Sequence, residues 1–409
     1  MLKSIKFKSY KSYKDWQELE IKPLTILFGK NSSGKSAVAK LPTLIEESLI
    51  GKFEAPILLN NNGVELGADF KDLVYGRIDT EVLEFELNAS IPDDYNKKLK
   101  DEKLIVKIAS NIGINNSPKI IYWKLDNRVF EYNHYNNSHT DQLDEEEYLC
   151  NFRGFNLDLI LYKNKDGIGD APKRPKMTLN TSYFGPFREE PKSSYTESQF
   201  QETSRFGIKG ENAYFYLIKN YQTYEKLLLK KVSNWFEQNF EGWRLNVQKD
   251  IQRPIYYFEL TKDYPKLNIN IRNVGQGMSQ VLPLIVRAYY AANKPTLIIM
   301  EQPELHLHPG AHGNLAELFA DTSKEEYKNY LIETHSKNFI LRIRRLIAEG
   351  KFDKNDLALY WVDFDEEKNT SSLVKINVDE YGKVDYWPEN VFSESLDETI
   401  ALRTAQKQK

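Results

Sequence analysis

Alternating apolar and polar positions from Met1 to Phe7 predict a strand at the start of the chain, and Glu18 to Ile21 predict a second, short one closed by Pro23. A solid apolar run, Leu24-Thr25-Ile26-Leu27-Phe28, then reads as a buried strand, and Ala37 to Leu49 as a helix. From about residue 51 to 180 the pattern changes to period two. Val82 to Leu87, Leu104 to Ile108 and Lys119 to Trp123 alternate, with polar turns between them, which predicts an antiparallel β insert. Between residues 211 and 242, Tyr214, Leu217, Tyr221, Tyr224, Leu227 and Leu228 recur at helical spacing, a core-facing stripe. Arg253 to Ile271 returns to strands. The chain then alternates between helices at 279–291, 311–320 and 338–349 and strands at 296–300, 330–332 and 357–361. That alternation predicts a parallel sheet. The expected organisation is an α/β core made of residues 1–50 and 272–392 closing into one sheet. The β insert occupies 51–180, a helical and strand subdomain 181–271, and a tail 393–409.

Composition narrows the class. Hydrophobic residues at 41% and charged residues at 28% are an ordinary globular balance. The formal charge of −3 argues against a globally basic nucleic-acid coat but leaves a local basic groove open. Cys150 is the one cysteine, so an internal disulfide is excluded and a plain thiol is expected. No apolar run reaches membrane-spanning length, and the first residues read as a strand rather than a signal peptide. The expectation is a cytoplasmic protein.

The chemistry lies at the strand ends. Gly29-Lys30-Asn31-Ser32-Ser33-Gly34-Lys35-Ser36, followed by Ala37, has the G-x-x-x-x-G-K-S spacing between a predicted strand and a predicted helix. In that setting the glycines let backbone N–H groups face a phosphate chain, and the helix start adds its positive end. Lys35 would reach the β- and γ-phosphates, and the Ser36 hydroxyl would ligate Mg²⁺. Far downstream, the apolar strand 296–300 ends in Glu301-Gln302-Pro303-Glu304, where Glu301 is the candidate to hold Mg²⁺. The strand at 330–332 runs into Glu333-Thr334-His335-Ser336, and His335 is the candidate to face the γ-phosphate.

These segments, with the glycine-rich stretch Asn273-Val274-Gly275-Gln276-Gly277-Met278-Ser279-Gln280 and with Leu305-His306-Leu307-His308-Pro309, resemble the ABC-type ATPases of the RecF, Rad50 and OLD branch. More narrowly they resemble compact prokaryotic ATPases often found in anti-phage defence operons. The resemblance implies an α/β ABC-type ATPase head with a mixed, largely parallel sheet. It also implies ATP and Mg²⁺ as cofactors, and a site shared between two heads of a homodimer or larger assembly. Lys35, Ser36, Glu301 and His335 would come from one head, and the signature residues Asn273, Gly275, Gly277 and Ser279 from the other. Gly275 stands where the family has a serine, so Ser279 or Asn273 would substitute. Gln302 stands where the family has a catalytic glutamate, and a glutamine orients water but takes no proton from it. Either Glu304 acts as base, or hydrolysis is slow and ATP works as a clamp; Glu304 as a helix cap ahead of Pro309 is the structural alternative.

Three further features carry candidate chemistry. Arg188, in Gly185-Pro186-Phe187-Arg188, would reach a phosphate or sit in a salt-bridged turn. Arg342, Arg344, Arg345 and Lys351 form a solvated face, or else a DNA-backbone or partner-docking surface. His306 and His308 are too few for zinc. The expected role is an ATPase whose head association senses or scaffolds a separate effector such as a nuclease or toxin. The alternatives are a DNA-clamping repair ATPase and a non-hydrolysing assembly module.

Overall fold

The computed structural model describes residues 2–388, apart from 79, 94–97, 111–116, 136, 143–144, 164–167, 171, 197 and 199–204, and also residues 391 and 401–406. Of the expected tail at 393–409, only 401–406 falls among the described residues.

A six-stranded sheet forms the centre. Its order is Thr181–Phe184, Thr296–Glu301, Lys328–Thr334, Leu24–Gly29, Leu357–Asp365 and Thr370–Ile376. The first five strands are parallel and the last is antiparallel. A strand covered on both faces cannot alternate, because water reaches neither side. This is why Thr296–Glu301 is buried along its whole length. Ile298 and Met300 pack towards one core, with helices Ala213–Tyr221, Leu227–Asn239, Gln276–Tyr289, Pro309–Thr322 and Lys337–Ala348. Leu297 and Ile299 pack towards the other, with helix Lys35–Ile50 and a second sheet.

That second sheet has ten antiparallel strands. Eight of them, from Leu83–Pro92 to Ile168–Asp170, form a meander. It continues through Leu2–Lys8 to Gln17–Glu20. The expected boundary at residue 50 therefore does not divide the sheets: the first two strands pair with the insert, and only Leu24–Gly29 joins the parallel sheet. The cause is pairing, since Leu2–Lys8 lies antiparallel between Gln17–Glu20 and Leu83–Pro92. The boundary at residue 181 shifts likewise, because Thr181–Phe184 is the edge strand of the central sheet.

The insert also finishes helix Lys35–Ile50. A helix ends with carbonyls that have no partner of their own. Here Phe155 N–H donates to the Ser48 carbonyl at 2.7 Å, and Asn156 Nδ2 to that of Leu49 at 3.1 Å. Trp123 Nε1 donates to the Phe155 carbonyl at 2.8 Å and fixes that turn.

Candidate active site

The loop between Leu24–Gly29 and Lys35–Ile50 has the conformation its residues suggest. Ser32 and Gly34 both have positive φ, 61° and 100°. At Gly34 a Cβ would also meet Ser12 Oγ at 2.7 Å, so glycine is required for both reasons. Lys30, Asn31 and Ser32 are exposed, Ser33 is buried, and Gly29, Ser36 and Ala37 are half-buried. Tyr13 donates to the Gly34 carbonyl at 3.1 Å and Tyr10 to that of Ala37 at 3.2 Å, so the N-terminal loop braces the turn. Lys35 is 3% exposed and its ammonium donates to the carbonyls of Gly29 and Lys30, at 3.1 and 2.5 Å. Burial pulls its pKa down, while Glu333 pushes it up. The lysine is thus folded onto its own loop.

The strand order brings the distant segments to this loop. Lys328–Thr334 lies between Leu24–Gly29 and Thr296–Glu301, so Glu301 and Glu333 are register partners at the carboxyl edge. Ligand sites in such sheets lie outside that edge. Glu301 Oε1 accepts from the Tyr183 hydroxyl at 2.6 Å, and burial raises the Glu301 pKa. Glu333 Oε1 accepts from Ser36 Oγ at 3.1 Å. Burial, then the charge of Glu301, pushes Glu333 up to about 7. His335 is half-buried, and burial followed by the charge of Lys35 pulls it down to about 4, leaving a neutral imidazole at pH 7.

Gln302 and Glu304 have different duties. Gln302 has φ of 44°, and its N–H donates to the Glu333 carbonyl at 2.8 Å. Glu304 Oε1 accepts from Thr334 Oγ1 at 2.7 Å and from the His335 N–H at 2.8 Å, so it clamps the turn that carries His335. It does not cap the helix ahead of Pro309. His308 does, accepting from Gly310 N–H at 3.2 Å. Arg188 makes no salt bridge among the described residues: it is 5% exposed, and Nη2 donates to the carbonyls of Glu301 and Gln302 at 2.9 and 3.0 Å. Burial pulls its pKa down to about 10.

The glycine-rich stretch opens helix Gln276–Tyr289 with no side-chain cap. Asn273 and Gly275 are exposed there. Ser279 is not on that surface: it is buried and donates to the Gln276 carbonyl at 3.2 Å, so helix periodicity turns it inward. Gly277 answers to its own chain, since a Cβ would come within 2.8 Å of the His306 carbonyl. The basic run is engaged internally as well. Arg342 pairs with Glu317, Arg345 and Lys351 with Glu349 at 3.2 and 2.9 Å, and Arg344 Nε donates to the Gly382 carbonyl. Arg345 and Lys351 remain exposed in these surface pairs, while Arg342 and Arg344 are half-buried. Cys150 is half-buried with its thiol pushed up to about 12, the inert state.

Motif spacing assigns no role to Glu333 or to Tyr183. The signal for Glu333 was present: like Glu301, it is an acid at the end of an apolar strand. A cation fits this donor set. Magnesium takes one or two carboxylates and completes its shell with phosphate oxygens and water. Among the described residues no three His, Cys, Asp or Glu side chains make a cage of their own. No described helix is long and apolar enough to cross a membrane.

Residues 188–340, which include Glu301 and His335 but not the loop 29–37, match the family model described as AAA ATPase domain. Residues 352–402 match a model described as a protein of unknown function, DUF3696. No curated protein sequence matches. Similar solved structures include the SMC head domain from Thermotoga maritima, at 12% identity and TM-score 0.45, covering 92% of this chain and 99% of that one. Another is the Smc head domain with an extended coiled coil bound to the C-terminal domain of ScpA, derived from Pyrococcus furiosus. It is 11% identical with TM-score 0.48, covering 98% and 99%.

Proposed function

We propose that this chain is an ABC-type P-loop ATPase head that binds ATP–Mg²⁺ at the loop 29–37 and hydrolyses it slowly. The observation that carries the reading is the gathering of Lys35, Ser36, Glu301, Glu333 and His335 at one sheet edge from three adjacent strands. Loop N–H groups and the helix start would receive the phosphates. Lys35 would exchange its carbonyl partners for phosphate oxygens. Ser36, with Glu301 and Glu333 behind it, would hold the cation, whose chemistry is to neutralise phosphate charge. His335, neutral and fixed by the Glu304 clamp, would donate to the γ-phosphate. Gln302 would orient the attacking water without taking its proton, which makes turnover slow.

The exposed helix start at Asn273 and Gly275 supports association of two heads across the nucleotide. Such association would be the output read by a separate effector, and the resemblance to defence-associated ATPases favours an anti-phage setting. Phosphate release tests the chemistry. Wild type should turn over with Mg²⁺, Lys35→Ala should not, and Gln302→Glu should be faster by about tenfold or more. Release that survives in Lys35→Ala, or a Gln302→Glu variant slower than wild type, would contradict the assignment.

A further inference from the structure

The motif after the strand Thr296–Glu301 points to Glu301 as the acid of the cation site, but the geometry divides the work differently. Glu301 is held from behind: Tyr183 donates to its Oε1 at 2.6 Å, and Arg188 to its main-chain carbonyl at 2.9 Å. Glu333, its register partner, is the one that touches the loop, with Oε1 3.1 Å from Ser36 Oγ. Glu333 is 2% exposed, and its second oxygen, Oε2, is buried with no hydrogen-bond partner. A buried carboxylate oxygen left alone is costly unless a cation meets it. Lys35 spends its donors on Gly29 and Lys30 instead.

We infer that Glu333 is the carboxylate on which cation binding at this site depends, holding the divalent metal of a nucleotide–metal complex together with Ser36. Glu301 stands behind it, oriented by Tyr183. This inference rests on the reading of the site as one for ATP–Mg²⁺. It has a signature that a purely structural role lacks. Without metal, Glu333 puts negative charge beside an incoming triphosphate and opposes it. With metal, the same charge becomes a ligand. Removing it therefore moves the two affinities in opposite directions.

The test is calorimetric titration of ATP into wild type, Glu333→Gln and Glu301→Gln, each with Mg²⁺ and with EDTA. Electron paramagnetic resonance of Mn²⁺ on the ATP complexes accompanies it. Glu333→Gln should lose about tenfold or more of the gain in ATP affinity that metal gives. It should bind metal-free ATP at least as well as wild type, and Glu301→Gln should keep the larger part of the gain. A full metal gain in Glu333→Gln would overturn the inference. So would equal weakening in both arms, the mark of a structural role. Should Glu333→Gln not fold, Glu333→Asp decides: weaker Mn²⁺ with unchanged metal-free ATP binding supports the inference, and unaltered Mn²⁺ overturns it. A wild type that binds ATP in neither arm fails before any variant is compared and overturns the ATP reading itself.

Discussion

Lys35 is buried without a carboxylate within ion-pair reach among the described residues, and its charge is carried by two main-chain carbonyls. Burial makes that charge unfavourable in the nucleotide-free chain, a cost of the kind functional sites impose. Lys35→Met should therefore leave thermal stability unchanged or higher without nucleotide. It should also abolish stabilisation by ATP, which for wild type is about 2.7 kcal/mol at a hundredfold excess over Kd. Melting curves with and without ATP–Mg²⁺ check both; a variant still stabilised by ATP contradicts the role. Tyr183→Phe leaves Glu301 one donor short in a buried place. Turnover should fall by about tenfold or more, as when an outer partner of a ligand is removed, while ATP affinity stays near wild type. At this scale the sequence was legible where chemistry follows spacing, as in the G-x-x-x-x-G-K-S loop. The strand-end acid Glu333 is visible in the sequence, but its partner Ser36 is not, nor are the Glu301 and Gln302 carbonyls that Arg188 meets, because these partners lie far away in the chain. Nor does residue type tell which way a helix turns Ser279.

Among the elements, period-two segments became antiparallel strands and solid apolar runs became parallel ones, for the burial reasons given above. The stripe expected at 211–242 is two helices, Ala213–Tyr221 and Leu227–Asn239, and it faces the core only in part: Tyr224, in the connection between them, and Leu227 are exposed. Pairing partners were less legible: alternation marks Leu2–Lys8 as a strand but says nothing about which sheet it joins. The insert's service to the loop helix gives one test. Asn156→Ala should cost about 1 kcal/mol by removing the donor to Leu49, read from urea denaturation. His139 gives a test in pH. It is buried in the antiparallel sheet, with Nε2 3.2 Å from the Ile120 carbonyl, and burial pulls it down to about 4. An unfolded histidine titrates near 6.5, so between pH 6.5 and 4 the unfolded chain binds a proton that the folded chain does not. Its contribution is present above pH 6.5 and lost as pH falls, by about 3 kcal/mol. Denaturation at pH 7 and pH 4.5 should show a smaller acid loss in His139→Phe than in wild type; equal losses would contradict the assignment.

The whole molecule places a P-loop helix between two sheets, with one made partly by the first strands of the chain and partly by the insert. Its exposed helix start at Gly275 is the surface on which association of two heads would depend. Light scattering with a non-hydrolysable ATP analogue should show the mass double relative to the nucleotide-free chain, and a chain that stays monomeric at micromolar concentration would contradict that association. The central claim is narrower: segments separated by more than half the chain build one ATP–Mg²⁺ site around Lys35. Its most direct measurement is the calorimetric titration of ATP–Mg²⁺ into wild type and Lys35→Ala. The account predicts one nucleotide bound per wild-type chain and no measurable binding to the variant; unchanged affinity in Lys35→Ala would contradict it.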